Sequence, residues 1–60
     1  MKLADALKLH NEDEVIIKRT KAVKRVVEVE ITPKEHTYNR MTCVDVLLDD
    51  GNWYGYKEIC

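Results

Sequence analysis

The stretch Val44-Asp45-Val46-Leu47-Leu48-Asp49-Asp50-Gly51-Asn52-Trp53-Tyr54-Gly55-Tyr56 constrains this chain more than any other. Apolar residues recur at alternate positions, stop at Asp50-Gly51-Asn52, and resume as aromatics. Alternation is the period of a strand with one buried face. The interruption has hairpin chemistry: Asp and Asn side chains satisfy nearby backbone donors, and Gly takes a positive φ without a Cβ clash. A third strand is therefore predicted from Met41 to Leu48, with Val44, Val46 and Leu48 inward, because Asp45 marks the wet side. A fourth is predicted over Trp53 to Tyr56, with Tyr54 and Tyr56 on one face and Trp53 and Gly55 on the other. Lys57-Glu58-Ile59 then reads as a short helical turn that sends Ile59 into the core.

Two further strands are predicted upstream. Glu14 to Arg19 alternates around Val15 and Ile17, with Ile16 on the opposite face, and Thr20-Lys21 supplies a short connection. In the second strand Val23, Val27, Val29 and Ile31 share one face while Lys24, Val26, Glu28 and Glu30 share the other; Arg25 lies near the edge of the apolar face, its stem over the core. Pro33 ends this strand, since it lacks a backbone donor and restricts the residue before it. Pro33 to Asn39 has no period and reads as a loop or wide hairpin arm, with Tyr38 folding back over an open barrel end. At the start, Leu3, Ala4, Ala6, Leu7 and Leu9 form the apolar stripe of a short helix over positions 2 to 9. It is too short to persist without packing.

Sixty residues make one domain, spanning 1–60. At this length only about 60% of the surface of the unfolded chain is buried on folding, so each large side chain counts. Phe is absent, and the aromatic volume comes from Trp53, Tyr38, Tyr54 and Tyr56. A hydrophobic share of 45% separates the chain from typical disordered segments. The formal charge of −1 gives no long-range field that would commit it to a polyanion. Leu3 to Leu9 is interrupted by Asp5 and Lys8, unlike a signal-peptide core, and no apolar run approaches the roughly 20 residues of a membrane span. With only Cys43 and Cys60, no disulfide framework is indicated, and a cytoplasmic location without membrane contact is the expectation.

The helical lead-in, Glu12-Asp13-Glu14-Val15-Ile16-Ile17, the long second strand, the Asp49-Asp50-Gly51-Asn52-Trp53-Tyr54 hairpin and the closing Tyr56-Lys57-Glu58-Ile59 together resemble small SH3-like barrel proteins over roughly positions 3 to 59. The likeness is greatest to the short barrels of phages and other mobile elements of Gram-positive bacteria. It implies a mainly β fold, a small barrel or half-barrel of about four antiparallel strands with a short N-terminal helix. It also implies a fifth strand after the helical turn, where this chain has only Cys60. Either an N-terminal segment substitutes there, or the sheet stays open and another subunit pairs with it. Barrels of this kind host peptide binding, RNA binding and assembly, so the likeness does not choose among them.

Catalytic chemistry has little footing. The chain has no serine, Cys43 with His10 or His36 is a thiol and base pair only on paper, and Asp49-Asp50 sit together on a turn. His10, His36, Cys43 and Cys60 lack metal-ligand spacing, and Gly51 and Gly55 make no phosphate loop. The expectation is a protein that is not an enzyme and takes no cofactor or metal. Two binding readings have content. Ile16, Val26, Leu47 and Trp53 fall opposite the assigned core and form an apolar interface for a protein partner or a second copy of the chain, with Lys18, Arg19, Lys24 and Arg25 orienting the partner. Alternatively, Lys18, Arg19, Lys21, Lys24 and Arg25 make the first hairpin a nucleic-acid contact, with Trp53, Tyr54 or Tyr56 stacking on bases.

Overall fold

The computed structural model of the chain describes residues 1–36 and 42–60. It is mainly β. A short helix α1 (Leu3–Ala6) precedes four antiparallel strands, β1 (Glu14–Ile16), β2 (Val23–Thr32), β3 (Cys43–Leu48) and β4 (Trp53–Gly55), in spatial order β1-β2-β3-β4. One 3-10 turn (Lys34–His36) follows Pro33, and another (Tyr56–Glu58) follows β4. Tyr38 and Met41 lie outside the described residues.

The hairpin between β3 and β4 forms where its residue types place it. Gly51 sits at φ 82 and donates its N–H to the Leu48 carbonyl at 3.0 Å, while Leu48 N–H donates to Asn52 at 3.1 Å. This is the bonding of a three-residue loop whose last residue takes the left-handed conformation. The Asp50 carboxylate completes it by accepting from Asn52 N–H at 3.0 Å and from the Tyr54 hydroxyl at 2.7 Å. The first hairpin turns through Lys18-Arg19-Thr20-Lys21. Ile17 N–H donates to Ala22 at 2.9 Å, and Lys21, at φ 62, donates to Ile17 at 2.7 Å.

Val44, Val46 and Leu48 are all buried and, with Ala6, Val15, Ile17, Val26 and Ile59, make the core; Met1, Leu3, Leu9, Ala22, Val29, Tyr54 and Tyr56 pack around it. The helix is shorter than its stripe suggests, yet it does its packing work through Ala6, which is fully buried.

The second strand departs from the expected faces. Val26 pairs with Leu48, and then Glu28 pairs with Leu47, so Val27 is one residue too many: a β-bulge. An inserted residue reverses the parity of every side chain beyond it. Before the bulge, Val15 faces Lys24 and Ile16 faces Val23, so Lys24 and Val26 point to the core side while Val23 points away. After it, Val29 opposite Val46 and Ile31 opposite Val44 lie on the core side. Val26 is therefore 2% exposed, against 47% for Val27. Assigning Val23 and Val27 to the core, and Val26 to the outer face, is corrected by this single insertion. Ile31 has the inward register but remains half-exposed.

The sheet does not close into a barrel. The outer edge of β1 is met instead by the residues after β4: Ile17 and Ile59 form an isolated antiparallel bridge, Cys60 N–H donates to Ile16 at 2.8 Å and Lys18 N–H to Glu58 at 2.9 Å. The Met1 nitrogen donates to the Ile59 carbonyl at 2.6 Å. Residues 58–60 thus take up the position at which a further strand is expected, with one bridge rather than a ladder.

Candidate interaction face

Cross-strand register decides which side chains share the outer face, because paired residues in an antiparallel ladder point to the same side. On β3, the residues alternating with the buried ones are Cys43, Asp45 and Leu47. Leu47 is flanked by Glu28 on β2 and Trp53 on β4, and Asp45 by Glu30 and Gly55. Val27, displaced outward by the bulge, adds an apolar group beside Glu28. One face therefore carries Trp53 and Leu47 side by side, with Glu28, Glu30 and Asp45 as the charged groups of the neighbouring positions. Trp53 is 46% exposed.

Of the four residues expected to form an apolar interface, only Leu47 and Trp53 are direct neighbours. Val26 is removed from the surface by the bulge and belongs to the core. Ile16 is exposed, but its cross-strand partner is Val23, and the pair Glu14–Arg25 lies between it and the row of Leu47. Arg25 and Glu14 approach to 4.0 Å with both side chains largely in solvent, a contact worth little in stability.

The outer edge of β4 adjoins this face. Leu48 and Asn52 form a hydrogen-bonded pair, so by alternation Trp53 and Gly55 direct their backbone groups away from β3. The Gly55 N–H is taken by the Glu58 carboxylate, which accepts it at 2.9 Å. A second strand could add here only at Trp53, and the edge is short.

The basic residues lie elsewhere. Lys18, Arg19 and Thr20 line a groove of about 530 Å³ with Ile17, Tyr54 and Glu58. Tyr54 pairs with Val46 and so lies on the face opposite Trp53. Lys21 belongs to the same loop but is not part of the lining, and Arg25 is engaged with Glu14. Lys24 is half-buried opposite Val15 and helps hold the Asp50 carboxyl ionised. Lys24 and Arg25 thus take opposite faces of β2, and neither Lys18 nor Arg19 borders Trp53 in the ladder. The charged residues that share the rows of Leu47 and Asp45 are Glu28, Glu30 and Asp45 itself.

The Tyr54–Asp50 bond has an electrostatic signature. The hydroxyl donated by Tyr54, then the Asn52 N–H, hold the Asp50 carboxyl below its ordinary pKa. The same bond pushes the Tyr54 phenol up, since ionising it would place two anions together.

Among the described residues no cluster of three His, Cys, Asp or Glu side chains converges to hold a metal, and no helix is long and apolar enough to cross a membrane. Cys43 is half-buried and Cys60 exposed, both as thiols. The chain matches no protein-family profile, no curated protein and no solved structure.

Proposed function

We propose that this chain is a non-enzymatic, SH3-like interaction module that binds a protein partner through the outer face of β2-β3-β4. The observation that supports this reading is a half-exposed Trp53 set against Leu47 on the outer strand face. A tryptophan in that position offers large contact area at low entropic cost, which is why Trp dominates the centres of protein interfaces. Its exposure costs free energy that a chain with a single tryptophan has every reason to recover in its core, yet Tyr54, from β4, and Tyr56, from the turn after it, are the aromatics that pack against the core. The Glu58 cap on Gly55 favours side-chain docking on the face over strand addition at the edge.

A selection from a displayed random peptide library tests this. Ligands of the module are expected to shift Trp53 emission and to lose binding to a Trp53→Ala variant that retains its fold by circular dichroism. Ligands indifferent to Trp53→Ala would sink the reading.

The groove favours a second reading, in which Lys18 and Arg19 hold the phosphates of a single-stranded nucleic acid against the ring of Tyr54. Lys18→Glu with Arg19→Glu should then abolish a salt-sensitive affinity for oligonucleotides, whereas Trp53→Ala should leave it intact. No such affinity at low salt would remove this reading.

A further inference from the structure

The register of the outer face says what chemistry its partner carries. We infer that the Trp53–Leu47 surface docks a cationic segment of a partner protein, one in which Arg or Lys alternates with apolar residues. The inference rests on the interaction-module reading and adds the identity of the charge.

Three carboxylates occupy two adjacent rows of the ladder, Glu28 beside Leu47 in the row that ends at Trp53, and Glu30 beside Asp45 in the row that ends at Gly55, and no basic residue of β2, β3 or β4 shares those rows. The nearest basic residue along the outer face of β2 is Arg25, whose guanidinium already faces Glu14. Glu28 and Glu30 are exposed and Asp45 is half-exposed, and neither of the ion pairs found among the described residues involves them. An anionic partner seated on this face would meet three like charges in the rows of Leu47 and Asp45. A cationic one would meet complementary charge and an indole ring, the best aromatic face for a guanidinium or ammonium group. Leu47 and Val27 suit the aliphatic stems of the same side chains, which cover apolar surface while their heads reach carboxylates. Asp45 and Trp53 share this face through the β3-β4 hairpin, and the pairing of β2 with β3 sets Glu28 and Glu30 beside them.

The sole tryptophan makes the test direct. Three capped peptides of equal length are titrated into the full chain while Trp53 emission is followed: one alternating Arg with Leu, one with Gln for every Arg, and one with Glu for every Arg. The Arg peptide should shift the emission saturably, the Gln peptide should bind about tenfold more weakly, and the Glu peptide should leave the emission unchanged. Combining Glu28→Gln, Glu30→Gln and Asp45→Asn should lower affinity for the Arg peptide by about tenfold, and raising the salt should do the same to the parent chain. These substitutions are on exposed or half-exposed positions and leave the core untouched. Equal binding of the Arg and Gln peptides, or an Arg affinity unmoved by the triple variant, overturns the cationic partner. Library-selected ligands that require Trp53 but carry no positive charge would overturn it too, while leaving the interaction module standing. Ligands that ignore Trp53 would remove both.

Discussion

Alanine substitution at two adjacent valines tests the bulge, on which the composition of both faces depends. Val26 is almost fully buried and Val27 half-exposed. Truncating Val26 removes both γ-methyl groups from the core, at roughly 0.8 kcal/mol each by transfer, or about 1.6 kcal/mol together. The void they leave, on the order of 40 Å³ where the core fails to collapse, adds about 1 kcal/mol at roughly 24 cal/mol per Å³. Val26→Ala should therefore cost about 2.5 kcal/mol, and Val27→Ala about 0.5 kcal/mol or less, as expected of a surface position. In a domain this small, each kcal/mol moves the midpoint by about 4–8 °C, so the two melting temperatures should separate by roughly 8–16 °C. The assay is urea and thermal unfolding followed by far-UV circular dichroism, since Trp53 already sees solvent and reports unfolding poorly. If Val26→Ala leaves too little folded protein to measure, Val26→Thr keeps the shape while burying a hydroxyl and serves in its place. Equal costs, or a larger cost at Val27, would refute the bulge and return both valines to an uninterrupted alternation.

Three other perturbations have definite outcomes. Gly51→Ala should lose about 1–2 kcal/mol, a purely backbone effect because the added methyl meets nothing within 4 Å, and Gly51→Asn should lose less, as urea midpoints would show. Lys21→Gly should be neutral or stabilising by up to about 1 kcal/mol, since it relieves a left-handed residue while loosening the unfolded chain; a loss in urea titration would show that the Lys21 side chain contributes to the hairpin. The lowered pKa of Asp50 contributes stability that is present above its unfolded value and lost as pH falls through the folded one, so acid unfolding should shift to higher pH in Tyr54→Phe and lose this component in Asp50→Asn. The raised pKa of Tyr54 acts on the other side: its contribution is complete below the unfolded value and fades as pH rises through the folded one, and both variants should remove that alkaline loss.

The parts of the fold that could be read from the residues are those where a local signal and the tertiary demand agree. Val44, Val46 and Leu48 alternate without exception and are buried without exception, and Asp50-Gly51-Asn52 turns as its chemistry requires. Ile59 enters the core from a helical turn, as its place after Lys57-Glu58 suggests. The second strand was misleading because Val26 and Val27 are the same residue in succession. Nothing in their chemistry says which one is extra, and the choice is made by pairing with Leu47 and Leu48. The candidate face suffered from the same ambiguity. Trp53, Leu47 and Asp45 were legible as outward residues of one hairpin, and Glu28 and Glu30 as the outer side of β2, but which of them stand side by side depends on where β2 lies against β3. The run of basic residues looked like one patch because they are close in sequence, whereas strand alternation and the turn distribute Lys18 and Arg19, Lys24, and Arg25 among three settings.

The bridge between Ile17 and Ile59 sets the molecule's order of assembly. Every other strand pairing joins elements consecutive in the chain, so it closes a modest loop and can form as soon as its turn does. Joining residues 58–60 to β1 instead unites points separated by two-thirds of the chain, and its reward arrives only after the three hairpin-like pairings are in place. Contacts made that late weigh on escape from the native state rather than on the approach to it. In stopped-flow chevrons, Ile59→Val should steepen nothing and slow folding little, while raising the unfolding rate by nearly the whole loss in stability. The last residues of the chain act as a latch: they add little to how fast the sheet is found, and much to how long it is kept.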